Sequence, residues 1–154
     1  MSVHAEQDAV RWWRIVVPWM AIGLIAGCSP DDRDARRAAL GHDPDFPALM
    51  RAASADAGAR LFGRCAACHA IGKGAPDRNG PTLFGVMEAG IARTSPRFAY
   101  TVALQRVGGR WTPQRMDAWL ADPQRFAPGT SMHFPGLADP LDRADVIAYL
   151  QGRR

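Results

Sequence analysis

The chain has 154 residues, 47% hydrophobic and 22% charged, which makes one ordinary domain with some chain to spare, neither disordered nor wholly membrane-embedded. Nineteen basic against fifteen acidic residues leave a net charge of +4, and eighteen of the basic residues are arginine, with Lys73 the single lysine. So small an excess suits an acidic protein partner as readily as nucleic acid, and three cysteines exclude the disulfide framework of a small stapled scaffold.

Residues 1–14 are polar and carry Arg11 and Arg14, and residues 15–27 follow without a charge, interrupted only by Pro18. A bilayer span needs about 20 apolar residues, so this shorter run has the length of an export-signal core. It ends in Ile25-Ala26-Gly27-Cys28, which resembles the bacterial lipoprotein box: small residues before a cleavage point, then a thiol that takes a diacylglyceryl group. Several acyl chains on one residue anchor stably where a single chain does not. Residues 1–27 are therefore expected to be a lipoprotein signal, with Cys28 the lipidated residue. An uncleaved short anchor and a buried helix are the plainer alternatives. Residues 28–53 mix charge with Gly41, Pro44 and Pro47 and read as a tether, although residues 35–40 have material for a helical turn or two. His4 and His42 fall in these flanks and read as solvated.

The remaining domain, residues 54–154, reads as all-α. Ser54 is a plausible N-cap, with Asp56 in the first turn. A second helix is expected over residues 96–107, ending at Gly108-Gly109. Thr112-Pro113 opens a third that stops before Asp122-Pro123, and Asp139-Pro140 opens the last. No stretch alternates for long, so strands are not expected.

Cys65-Ala66-Ala67-Cys68-His69 carries the chemistry. C-x-x-C-H is the attachment pattern of c-type haem. Two thiols three positions apart on one helical turn reach both vinyl groups along one haem edge, and His69 then points its imidazole at the iron. A zinc site lacks a second cysteine pair outside the signal. A thioredoxin-like pair lacks its βαβ setting, and a Cys65–Cys68 disulfide is strained. The cysteine count also closes, with one thiol for lipid and two for thioethers.

From Ser54 onward the chain resembles a class I cytochrome c with one covalently attached haem, about four short helices wrapped around it. Gly58 and Phe62 stand where that family crosses its last helix. Asn79-Gly80-Pro81-Thr82-Leu83 resembles the N-G-P-x-L turn, which implies that the Pro81 carbonyl orients the His69 ring. Phe98-Ala99-Tyr100 and Trp111 occupy the places of the pocket aromatics. Pro128-Gly129-Thr130-Ser131-Met132 resembles the P-G-T-x-M loop and implies Met132 as the distal ligand, a soft thioether that favours iron(II). His133 is the competitor, because adjacent residues of an extended loop point to opposite sides. Met50, Met87 and Met116 read as core or loop residues.

Two departures stand out. The family arginine that follows the haem turn is displaced, with Arg93 and Arg97 as candidate substitutes. The lysine docking ring is absent, so a positive face would be built from Arg60, Arg64, Arg78, Arg93 and Arg125. The resemblance implies an electron carrier and not an enzyme, on the periplasmic side of a bacterial membrane. Its partners would be a cytochrome bc-type complex, a terminal oxidase or a periplasmic dehydrogenase, with no nucleic acid. A haem c subunit dedicated to one dehydrogenase or oxidase complex is the alternative, and an open, ligand-binding haem protein comes third. With the haem as missing core, the apoprotein is expected to be largely unfolded.

Overall fold

The structure, a computed structural model, describes residues 32–154. The apolar run and Cys28 lie outside the described residues. Eight helical segments follow one another: α1 (Arg33–Leu40), α2 (Phe46–Ala52), α3 (Ala55–Leu61), α4 (Gly63–Ala66), α5 (Val102–Val107), α6 (Pro113–Ala121), α7 (Pro123–Phe126) and α8 (Pro140–Gln151). The fold is all-α as expected, but it divides into more and shorter pieces than the four foreseen. Among the described residues there is no strand, only one isolated antiparallel bridge between Gly90 and Arg110.

Side-chain caps explain most of the boundaries. The Ser54 hydroxyl accepts from the Ala57 amide, Thr112 from Arg115, and the Asp139 carboxylate from Leu141. Asp122 ends α6 in an extended conformation and then caps α7 through the Arg125 amide, which splits one stretch into two helices. The helix expected over residues 96–107 begins only at Val102. Thr101 is extended and caps it through the Leu104 amide, while residues 95–100 are held in turns by Ser95 and Phe98 carbonyls.

Helix α8 is the spine, with Leu141, Ala144, Asp145, Val146, Ile147, Tyr149 and Leu150 all buried. Helix α3 crosses it at Gly58, where an added Cβ would stand 2.0 Å from the Asp145 carbonyl oxygen. The Phe62 and Tyr149 rings meet beside the crossing with centroids 5.3 Å apart. Helix α6 packs on α8 as well, tied by an Arg143–Asp117 ion pair at 2.7 Å.

The segment expected to be a tether differs from that reading. From Asp32 on it is built into the domain: α2 lies on α8, and Leu49 joins Leu141 and Ala144 in a small second apolar cluster. Arg33 pairs with Asp139 at 2.6 Å and Asp142 at 2.7 Å, and Arg36 pairs with the fully buried Asp145 at 2.8 Å. Charge and proline content suggested solvated chain. The partners of those arginines are more than a hundred residues away, beyond the reach of local pattern.

Candidate haem-binding site

The interior is organised around a cavity of about 420 Å³. Its walls are mostly apolar, from Leu83, Val86, Leu104, Trp119 and Val146 among others, and the size is that of a ligand site rather than a packing defect. Cys65, Cys68, His69, Pro81, Tyr100, Trp111 and Met132 all line it.

Cys65 sits in α4 and Cys68 just after it, and the Cys65 carbonyl accepts from the amides of Cys68 (3.0 Å) and His69 (2.9 Å). The turn is thus helical, and residues at i, i+3 and i+4 share one face. Both thiols are free, Cys65 half-buried and Cys68 exposed, so no disulfide joins them. Burial pushes the Cys65 thiol above its ordinary pKa. Among the described residues no three His, Cys, Asp or Glu side chains gather into a metal-holding group, which leaves the zinc reading without support.

His69 is aimed by two contacts. Its Nδ1 donates to the Pro81 carbonyl at 2.7 Å, which leaves the Nε2 lone pair free. Gly80 lies flat on the ring, where a Cβ would come within 2.3 Å of Cε1, so any side chain there would push the imidazole aside. Burial holds the His69 pKa below its ordinary value, opposed by the bond to Pro81, and so favours the neutral, ligating imidazole.

Met132 and His133 both line the cavity but differ in environment. Met132 is half-buried and packs on the main apolar core, whereas His133 is exposed. Their loop leaves α7 through Gly129 (φ 91°) and returns through Gly136 (φ 87°), both left-handed. The Gln124 amide donates to the carbonyls of Thr130 (2.9 Å) and Met132 (3.3 Å) and so pins the loop. Across the loop mouth the Arg64 guanidinium stands 5.8 Å from the Phe134 ring centroid, within cation–π range.

Trp111 is buried in an aromatic cluster, stacked on Phe126 at 5.6 Å and tilted against Trp119 at 5.5 Å. The Tyr100 hydroxyl accepts from the Ser95 amide at 3.1 Å, and burial raises its pKa. Neither Arg93 nor Arg97, the candidate substitutes for the displaced arginine, lines the cavity. Both are exposed, and Arg64 is the arginine among the lining residues. Asn79, Thr94, Thr101 and Ser131 add hydrogen-bonding groups to the lining. Sequence pattern carries no signal for Gln124, which acts on the loop through its carbonyls rather than through a motif.

The donor set fits a c-type haem: two thiols and an imidazole on one turn, an apolar chamber of suitable size, and a thioether in the same lining.

The family model for cytochrome c matches residues 55–153. A cytochrome c homolog of Bradyrhizobium diazoefficiens is 43% identical over 104 residues, 66% of this chain and 55% of that protein. One from Rickettsia felis is 39% identical over 108 residues, covering 70% and 61%. Cytochrome c of Gossypium barbadense is 39% identical over 98 residues, covering 63% and 87%. The solved structure of cytochrome cH from Methylobacterium extorquens superposes with a TM-score of 0.61 at 39% identity, covering 64% of this chain and 98% of that one.

This chain belongs to the cytochrome c family, as a class I monohaem member. Family identity implies a c-type haem. The match spans little more than half the length of the two bacterial relatives. Among the described residues no helix is long and apolar enough to cross a membrane.

Proposed function

We propose that the protein is an exported, membrane-anchored electron carrier holding one haem c through Cys65 and Cys68, with His69 and Met132 as axial ligands. The observation that carries this reading is that Cys65, Cys68, His69 and Met132 all line one apolar cavity. The haem supplies a one-electron iron(II)/iron(III) couple. The residues do the rest. Pro81 fixes the tautomer of His69, Gln124 and Thr130 hold the Met132 loop, and the aromatic floor keeps water from the cavity. With His69 and Met132 both holding the iron, no position would be left open to a substrate, and the group would supply electron transfer rather than bond chemistry. Tyr100 and Trp111 complete the pocket.

Residues 1–27 act in this reading as the export signal and Cys28 as the lipid attachment point, on the periplasmic side of a bacterial membrane. Docking is through an arginine-bearing face to a cytochrome bc-type complex, a terminal oxidase or a periplasmic dehydrogenase, in small and transient contacts. A permanently bound haem c subunit of a dehydrogenase or oxidase complex would carry a broad apolar face. Among the described residues the exposed large apolar side chain is Val102, which favours the carrier.

The visible spectrum of the oxidised protein tests the axial assignment through the weak far-red charge-transfer band of sulfur bonded to ferric haem. Met132→Ala is expected to abolish the band and His133→Ala to leave it intact. The reverse pattern would overturn Met132. Gln124→Ala, which frees two loop carbonyls, is expected to weaken the band without removing it and to cost about 1 kcal/mol in urea denaturation. Cys28→Ala is expected to release the protein from the membrane fraction.

A further inference from the structure

Asp77 has no part in the site as described, yet its carboxylate joins two walls of the cavity. It is half-buried in the loop between the attachment turn and Gly80. One oxygen accepts from the Thr82 amide at 2.8 Å, the other from the Ser95 hydroxyl at 2.5 Å. Thr82 directly follows Pro81, whose carbonyl accepts from His69 Nδ1 at 2.7 Å. Ser95 is buried, and its amide donates to the Tyr100 hydroxyl at 3.1 Å. A single side chain therefore locks the peptide that aims His69 and the turn that fixes Tyr100.

We propose that Asp77 is a positioning residue that sets the donor strength of His69 by clamping the Thr82 amide and the Ser95 hydroxyl. The inference rests on His69 as an axial ligand. A short, well-aligned Nδ1–H···O bond makes the imidazole a stronger donor and favours ferric iron. Releasing the clamp lets the Pro81 carbonyl move, weakens that bond and shifts the couple towards iron(II).

The groups that face the carboxylate hold it ionised. The Ser95 hydroxyl is the largest influence, then the Thr82 amide, with Arg97 adding attraction, and together they depress its pKa below the ordinary carboxylate value. The neutral Tyr100 phenol lies on the other side of Ser95, its pKa raised in part by the Asp77 charge. Arg78, next in sequence, is engaged with the Ala66 carbonyl at 2.8 Å. A depressed folded-state pKa means that the ionised carboxylate's contribution to stability is fully present above the unfolded value of about 3.9 and is lost as pH falls through the folded value.

The test uses the haem-loaded protein, with reduction potential and amide hydrogen exchange as readouts. Asp77→Ala is expected to make the potential more positive and to speed exchange at Thr82 on the order of tenfold or more. Asp77→Asn keeps an acceptor for Thr82 and offers an N–H to the Ser95 hydroxyl, so it should restore potential and exchange at neutral pH. An Asp77→Ala variant with parental potential and exchange overturns the proposal. So does an Asp77→Asn variant that shifts as far as alanine, because charge and not positioning would then be at work. If Asp77→Ala fails to take up haem, Ser95→Ala, which releases one arm of the clamp, takes its place, and parental potential and exchange in that variant overturn the proposal. Failure of the far-red band would sink Met132 as ligand and leave these readouts interpretable, since Thr82 exchange does not pass through the distal loop.

Discussion

Gly58→Ala is expected to cost about 3–5 kcal/mol or more, a large part of the roughly 5–15 kcal/mol that holds a domain of this size together. Helix propensity alone points the other way, since alanine in a helix interior is favoured over glycine by about 1 kcal/mol. The crossing decides the sign. An alanine Cβ at position 58 would stand 2.0 Å from the Asp145 carbonyl oxygen, 2.6 Å from its carbon and 2.8 Å from the Tyr149 Cβ. Two of these three atoms are helix backbone and cannot rotate away, so α3 and α8 must separate. That separation loosens the Phe62–Tyr149 contact and widens the wall that carries Cys65 and His69. Gly63→Ala is the control: it lies in α4, no atom stands within 4 Å of its added Cβ, and it should be neutral or slightly stabilising. Thermal or urea unfolding of the two variants checks the pair, and equal effects would show that the crossing does not limit stability.

Arg36→Ala is expected to be the second severe change, at about 3–5 kcal/mol. Arg36 donates to both carboxylate oxygens of Asp145, at 2.8 and 3.0 Å, and to the Ala52 carbonyl at 3.0 Å. The Asp145 side chain is 0% exposed, so removing the guanidinium leaves a buried carboxylate with only the Ser54 amide, at 2.7 Å, as a donor. The bonds to Asp145 and Asp32 raise the Arg36 pKa, so the guanidinium stays charged. Deleting residues 32–53 should reproduce the loss, because it removes Arg36 together with the Leu49 contact on α8. A solvated tether predicts something else: under about 0.5 kcal/mol for the point change and nothing for the deletion. Urea denaturation of the haem-loaded protein separates the two outcomes.

These two residues show where local pattern stops. Gly58 was placed at the helix crossing by resemblance, yet the distance to Asp145 that makes it irreplaceable exists only once α3 and α8 are packed. Arg36 sits in a charged, proline-bearing stretch whose composition argues for solvent. Its partner arrives 109 residues later in the chain. The same holds for Asp77, which looks like an ordinary loop acid until Thr82 and Ser95 close on it. Arg64 lines the cavity whereas Arg93 and Arg97 do not, because a lining position depends on how a loop returns and not on spacing from a motif.

By itself the sequence determined what lies within a few residues of its own cause. The attachment turn is set by C-x-x-C-H spacing, the starts of α3, α6 and α8 by Ser54, Thr112 and Asp139, and the family by several motifs that follow one another along this one chain. Tertiary structure alone decided the rest: that residues 32–53 belong to the domain, that Gln124 pins the Met132 loop, and that Asp77 bridges two walls. The reason is physical. Caps and helical turns are satisfied by neighbours three or four positions away, whereas burial, long-range ion pairs and close backbone approach are properties of segments that meet only after the chain has folded.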